Sequence, residues 1–297
     1  MHILSATQFN RTFIDKIFEI TDEIEKYPSQ FKEILNGKIL LNVFFEPSTR
    51  TSLSFETAMK QLGGEVINFN KNVSSMIKGE SYQDTIRTLE IYGDLMVLRD
   101  PNIENLQIVS NLIKIPLINA GNGSGEHPTQ ALLDLYTIYK NYNINNIKIL
   151  FIGDIKNSRT IHSLIQLLHL YSSSEIYFWP YNNCEPDQEF INKINNIHKN
   201  PCILIDDDYD FSIFDIIYCS RYQKERVQTD KLNDNNKIIN IDFMKKIKQD
   251  AIIMHPLPRN DEIEPLVDND KRCIYFEQMS NGVKVRKSLL LKCFGFW

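Results

Sequence analysis

Apolar runs of strand length alternate with helical patterns along most of this chain, and the alternation begins a second time near Ile147. Runs at 39–45, 65–69, 95–99 and 116–119 have the length and the bounded apolarity of strands. Between them, 84–91 and 103–112 carry apolar residues at helical spacing. The run Ile147-Lys148-Ile149-Leu150-Phe151-Ile152-Gly153-Asp154 opens the second series, continued by a helix at 160–170 and strands at 176–179, 213–219 and 251–255. Strands separated by helices pair in parallel, which predicts an α/β fold of two domains, each a parallel sheet flanked by helices. A helical segment at 5–33 leads in, a helix from Pro128 joins the two series, and a final helix at 284–293 crosses back. The expected division is 1–128 plus 283–297 against 129–282, with interdomain helices between, and ligands are expected beyond the carboxyl ends of the strands, between the two units.

With 297 residues, 42% of them hydrophobic, the chain is long enough for two cores. A formal net charge of -5 at pH 7 argues against a nucleic-acid partner, which needs a basic field, so any anion site must be local. Five cysteines, scattered and without a CxxC pair, read as reduced thiols rather than a disulfide framework or a zinc site. MHILSATQFNRTF has no basic region before a long apolar core, and no stretch reaches membrane-spanning length. A cytoplasmic protein with no membrane partner is expected.

The segment FFEPSTRTSLSFET runs from an apolar strand into Ser48-Thr49-Arg50-Thr51 and at once into a helix marked by Leu53, Phe55, Ala58, Met59 and Leu62. A helix's first turn has unpaired N–H groups and the positive end of its dipole. Three hydroxyls and a guanidinium at that spot suit a dianion such as phosphate. An ordinary Ser/Thr cap beside a solvated arginine fits the tetrapeptide equally well.

Other polar residues follow strands, where side chains reach a cleft. Arg99 closes Met96-Val97-Leu98-Arg99, Arg159 follows the strand ending at Asp154, and His127 and Gln130 follow the loop 121–126. That loop lacks the GxGxxG pattern of dinucleotide sites and the lysine of a P-loop, so its glycines serve to turn the backbone sharply before the next helix. In Ser220-Arg221-Tyr222-Gln223 an extended chain puts Arg221 and Gln223 on one side, where a fork and an amide could clasp a carboxylate. His255-Pro256-Leu257-Pro258-Arg259 is a stiff turn that fixes backbone carbonyls, and Leu257-Pro258 is a candidate cis peptide. Taken singly, each of these also fits a surface ion pair, a structural histidine or a solvated loop.

Taken together, FFEPSTRTSLSFE, KGES at 78–81, VLRDP, HPTQALLD, GDIKNSRTIHS, SRYQKER, HPLPR followed by DEI, and YFEQ resemble the aspartate carbamoyltransferase catalytic chains, in order and over most of the sequence. The resemblance implies transfer of a carbamoyl group from carbamoyl phosphate to L-aspartate in pyrimidine synthesis. It also implies a carbamoyl phosphate-binding domain at 1–128 plus 283–297 and an aspartate-binding domain at 129–282. By motif match, Ser48, Thr49, Arg50 and Thr51 hold the phosphate with Arg99 beside it. Thr51, Arg99 and His127 face the carbonyl oxygen, and Gln130 faces the carbamoyl amide. Arg159, Arg221 and Gln223 match the aspartate-carboxylate ligands, and Leu257 matches a residue whose carbonyl faces the substrate. Ser74 and Lys78 match a loop that enters a neighbouring subunit's site, which implies a homotrimer with shared active sites. Arg50, Thr51, Lys78, Arg99 and His127 are the implied catalytic set. Glu46 matches a glutamate that bridges the domains on closure, with Arg159 and Arg226 as its partners. The chemistry calls for no metal and no cofactor.

The chain departs from the family pattern in three places. Asp100 stands where histidine is common, Asn122 where aspartate is common, and 182–210 matches poorly. A carboxylate at position 100 would weaken the phosphate site if it pointed inward. Ornithine carbamoyltransferases share STRT and HPxQ but typically carry HCLP where this chain has His255-Pro256-Leu257-Pro258, and ornithine's cationic end is poorly served by Arg221. A carbamoyltransferase with another acceptor, or a silent binding homologue, is the alternative.

Overall fold

The computed structural model describes residues 1–171, 174–197, 200–223 and 237–297. They divide into two units, Met1–Leu133 with Ser280–Trp297, and Asp134–Met279.

In the first unit the leading segment is not one helix. A 3-10 turn, Ala6–Gln8, precedes α1 (Arg11–Lys26) and α2 (Pro28–Phe31). Asn10 starts α1 by accepting from the N–H of Phe13, and Pro28, which has no N–H to give, begins the next helix instead of extending the first. The sheet contains β1 (Ile39–Phe44), β2 (Glu65–Phe69), β3 (Leu95–Asp100) and β4 (Leu117–Asn122), all parallel in the order β2-β1-β3-β4. Helices α3 (Thr49–Gln61), α4 (Tyr82–Glu90) and α5 (Ile103–Leu112) connect the strands. The inner strands β1 and β3 are covered on both faces, which is why they read as unbroken apolar runs. Leu41, Val43, Met96 and Leu98 pack with Ile86, Leu106 and Val109 of the helices into one core.

The second unit holds β5 (Lys148–Gly153), β6 (Glu175–Pro180), β7 (Ile203–Leu204), β8 (Ile216–Ser220) and β9 (Ile252–Met254), parallel in the order β7-β6-β5-β8-β9. Its core gathers Leu150, Ile152, Ile217 and Cys219 with an aromatic group that includes Trp179, Phe211, Phe214 and Phe243. Helices α7 (Arg159–Leu168), α8 (Gln188–Ile197) and α9 (Ile241–Lys246) belong to this unit. The unit boundaries fall inside two helices, α6 (Pro128–Asn141) and α10 (Tyr275–Cys293).

The final helix begins nine residues before the expected 284. Its first turns contain Ser280, Asn281 and Gly282, weak helix formers, and are held by burial, with Tyr275, Gln278 and Asn281 all buried. Helices α8 and α9 and the two-residue strand β7 were not expected. The sequence around them is rich in asparagine and aspartate, and β7 exists only through its pairing with β6 at Tyr177 and Phe178. All five cysteines are free, and among the described residues no helix is long and apolar enough to cross a membrane.

Candidate active site

In the first unit the expected phosphate ligands gather beyond the carboxyl ends of three neighbouring strands. Ser48, Thr49, Arg50 and Thr51 follow β1 and open α3; Arg99 lies at the end of β3; His127 and Gln130 follow β4 and open α6. The register sets Phe44 beside Arg99, and the N–H of Phe45 donates to the carbonyl of Arg99 at 2.9 Å.

Ser48 occupies the N-cap position of α3, but its side chain makes no capping hydrogen bond. Its hydroxyl instead accepts from Arg99 Nη1 at 3.2 Å. The first-turn N–H groups of α3 are thus not spent on that hydroxyl, and a guanidinium is brought to them, the arrangement an oxyanion requires. Of the two readings of the tetrapeptide, the plain side-chain cap is not formed by Ser48. Arg99 Nε also donates to Glu46 Oε1 at 2.6 Å, a partly buried ion pair between the ends of β1 and β3 that sequence reasoning missed.

His127 and Gln130 are buried, and the His127 carbonyl accepts from the N–H groups of Gln130 and Ala131, starting α6. The glycine loop does turn sharply here. Gly123 has φ of 51°, and a Cβ at that position would sit 2.4 Å from the Pro101 carbonyl oxygen. Glu126 ties the loop to the amino-terminal segment, accepting from Ser5 Oγ at 2.7 Å and from the Ala6 N–H at 2.6 Å.

Asp100 is buried and its carboxylate is fully engaged. It accepts from Tyr82 Oη at 2.9 Å, the Asn102 N–H at 2.8 Å and Asn105 Nδ2 at 3.0 Å. Burial first, and then the neighbouring Asp100 charge, push the Tyr82 phenol well above its ordinary range. Asn122, the other departure, shapes the loop: its Oδ1 accepts from the Glu126 N–H at 2.8 Å.

Ser74 and Lys78 lie apart from this cluster in sequence, on the segment between β2 and α4. Ser74 Oγ donates to the Lys71 carbonyl at 2.8 Å, and Lys78 ends an exposed 3-10 turn, Ser75–Lys78. Val73 and Ile77 of the same segment are 79% and 69% exposed.

The second unit repeats the arrangement. Arg159 follows β5, Arg221 and Gln223 follow β8, and Leu257 follows β9, again beyond the carboxyl ends of three neighbouring parallel strands. Arg159 is buried at the first position of α7, whose N-cap is Ser158. Gln223 is tied to the β5–α7 turn: its N–H donates to Asp154 Oδ2 at 3.2 Å and its Nε2 to the Asn157 carbonyl at 2.9 Å. Arg226 lies outside the described residues. The Leu257-Pro258 bond is cis, as expected, and Leu257 has φ of 49°. Among the described residues no group of three or more His, Cys, Asp or Glu is placed to hold a metal ion.

The carbamoyl-P binding domain of the aspartate/ornithine carbamoyltransferase family matches residues 1–140, and the Asp/Orn binding domain of that family matches residues 145–293. The chain is 40% identical to the aspartate carbamoyltransferase catalytic subunit of Sulfolobus acidocaldarius, covering 99% of this chain and 99% of that one. It is also 40% identical over 99% of its length to the multifunctional protein pyr1-3 of Dictyostelium discoideum, of which it spans 13%. Among solved structures, the aspartate transcarbamoylase of Trypanosoma cruzi in complex with carbamoyl phosphate and aspartate superposes with a TM-score of 0.92 at 35% identity, covering 97% of this chain and 95% of that chain. Two parallel sheets, ordered motifs along the whole length and relatives at this identity place the chain in the aspartate/ornithine carbamoyltransferase family, among the aspartate carbamoyltransferase catalytic chains.

Proposed function

We propose that this chain transfers the carbamoyl group of carbamoyl phosphate to the amine of L-aspartate, giving N-carbamoyl-L-aspartate and phosphate, a step of pyrimidine synthesis. The observation that carries the reading is its likeness, over 97% of its length, to a protein solved with carbamoyl phosphate and aspartate.

The residues suit the reaction. The aspartate amine attacks the carbamoyl carbon, the carbon–oxygen bond to phosphate breaks, and the amine proton leaves with the departing phosphate. Charge builds on the carbamoyl oxygen, where Arg99, His127 and the Thr51 hydroxyl serve as donors, while Gln130 orients the carbamoyl amide. Ser48, Thr49, Arg50, Thr51 and the start of α3 neutralise the phosphate as it leaves. Arg159, Arg221 and Gln223 bind the aspartate carboxylates, and the Leu257 carbonyl accepts a substrate N–H.

In this reading 1–128 plus 283–297 is the carbamoyl phosphate domain and 129–282 the aspartate domain. Ser74 and Lys78 act in the site of a neighbouring subunit, so the active form is a homotrimer with shared sites. Lys78 is exposed, as are Val73 and Ile77 beside it, so the segment is open to reach another copy. The free cysteines fit a reducing compartment, the cytoplasm.

The test is a product assay with carbamoyl phosphate and either L-aspartate or L-ornithine. N-carbamoyl-L-aspartate is expected. Product from ornithine alone would replace the acceptor, and no product with either would make the chain a silent homologue.

A further inference from the structure

Leu257 holds a left-handed backbone, φ 49°, a conformation that a residue with a Cβ rarely adopts and keeps only where its surroundings impose it. The surroundings here form a chain of hydrogen bonds. The Leu257 N–H donates to His255 Nδ1 at 2.8 Å, and His255 Nε2 lies 2.8 Å from Glu262 Oε1. Because a peptide N–H can only donate, Nδ1 must be the bare nitrogen, so the ring proton sits on Nε2 and points at Glu262.

His255 has no exposed surface, and Glu262 is 6% exposed. The second carboxylate oxygen of Glu262 accepts from the Asn260 N–H at 3.1 Å, and the Glu262 backbone carbonyl accepts from the Ile239 N–H at 2.9 Å. Burial by itself would raise the Glu262 carboxyl, but the His255 hydrogen bond and the backbone donors outweigh it, so the group is held below its ordinary range and stays ionised. The backbone of His255 is fixed independently: its N–H donates to Gln278 Oε1 at 2.9 Å, Gln278 Nε2 donates to Asp134 Oδ1 at 2.6 Å, and Tyr218 Oη donates to Asp134 Oδ2 at 2.8 Å. Both ends of the imidazole and its backbone are therefore held, which fixes the Pro256-Leu257 peptide; with Leu257 in its left-handed conformation, that peptide sets where the next one, carrying the Leu257 carbonyl, begins.

We propose that Glu262 is a positioning residue for the transfer reaction, setting the His255 tautomer so that the Leu257 N–H is held and the Leu257 carbonyl stays aimed at the substrate N–H. The inference rests on the proposed function, and concerns two buried residues that act through Leu257. Its energetic logic is preorganisation: a carbonyl displaced by about 1 Å can cost on the order of a hundredfold in rate.

The experiment compares wild type, Glu262→Gln, Glu262→Ala and the double variant Glu262→Ala with Leu257→Gly, measuring kcat and the KM for aspartate, with carbamoyl phosphate binding by calorimetry. Glu262→Ala is expected to lower kcat/KM for aspartate by about tenfold to a hundredfold, leaving carbamoyl phosphate affinity unchanged. Glu262→Gln, which keeps an acceptor for Nε2–H, retains more activity. Glycine at 257 recovers part of the loss, because it adopts the left-handed region without cost. Equal loss of carbamoyl phosphate binding, wild-type kinetics in Glu262→Ala, or absence of rescue would overturn the proposal. Imidazole nitrogen shifts of wild-type His255 decide it even if the variants do not fold: a proton on Nε2 alone is expected, and a proton on Nδ1 overturns it. A wild-type protein inactive toward aspartate would defeat the proposed function, while the tautomer measurement would still stand apart from it.

Discussion

Arg99 and Glu46, at the ends of adjacent strands, share one short ion pair, with Nε and Oε1 2.6 Å apart, while the same guanidinium reaches Ser48 Oγ at 3.2 Å. Both side chains are largely covered, so each neutralises a charge that would otherwise be desolvated alone. The guanidinium assigned to phosphate is therefore partly occupied by the protein's own carboxylate. In the proposed function, an arriving anion competes with Glu46 for the charge of that guanidinium.

Glu46→Gln removes that competition while keeping the side chain's shape. Orthophosphate is expected to bind about three- to tenfold more tightly, the equivalent of roughly 1 kcal/mol. Isothermal titration at fixed ionic strength measures it, and weaker binding would show that Glu46 organises Arg99 rather than competing for it.

Arg50→Ala and Lys78→Ala should each abolish turnover. If a site draws Arg50 from one subunit and Lys78 from the next, an equal mixture that exchanges subunits regains roughly a quarter of the wild-type sites, since each half is intact about half the time. Activity before and after mixing checks this, and a mixture that stays inactive under exchange conditions argues for sites built within one chain.

Tyr82→Phe keeps the ring that packs 5.1 Å from Phe45 but removes the donor to the buried Asp100 carboxylate. A loss of about 1–2 kcal/mol is expected by urea denaturation. Because the phenol is raised above its ordinary value of 10.0, its contribution is full below pH 10 and lost as pH rises beyond it. The variant's stability should therefore fall less steeply than wild type on the alkaline side. Equal alkaline slopes would contradict the assignment.

Glu262 has the opposite sign. Its carboxyl is held below the ordinary 4.5, so its contribution is present above pH 4.5 and is lost as pH falls through the lower folded value. Replacing it with glutamine should lower stability at neutral pH and flatten the acid limb of the pH–stability curve. An unchanged acid limb would mean the carboxylate is not stabilised by His255.

Gly153 ends β5 with φ of 111°, and a Cβ there would meet the Ser220 carbonyl oxygen at 2.1 Å. Gly153→Ala must push β5 and β8 apart where the expected aspartate ligands leave the sheet. A destabilisation of about 3 kcal/mol or more is expected in thermal or denaturant unfolding. A variant of wild-type stability would show that the strand ends yield easily.

Much of the fold was legible because its inner strands are buried on both faces and so appear as continuous apolar runs. The exposed edge strand at 65–69 and the helix at 103–112 also lie where the pattern puts them, and α3 starts at Thr49. The elements that escaped lack a local signal. The strand β7 is an exposed pair held by its neighbour, and the start of α10 contains Gly282, where a Cβ would come within 2.6 Å of Arg286 Nη1. There the glycine leaves room for the Arg286 side chain, while its local propensity speaks against a helix.

The same division runs through the site. Chain order alone determined that the site residues follow strands, since a parallel α/β sheet delivers every strand's carboxyl end to one edge. Only the tertiary structure decided which side chain restrains which: that the Ser48 hydroxyl accepts from Arg99, that Glu46 shares that arginine, that Asp100 turns to Tyr82, and that Glu262 reaches Leu257 through His255. The pairings of Arg99 depend on strand register, which brings residues roughly fifty positions apart within about 3 Å, and the short-range links of His255 depend on the fold of the turn that carries them. No pattern along a single chain carries that information, because the hydrogen bonds form only after burial has fixed which strands are neighbours.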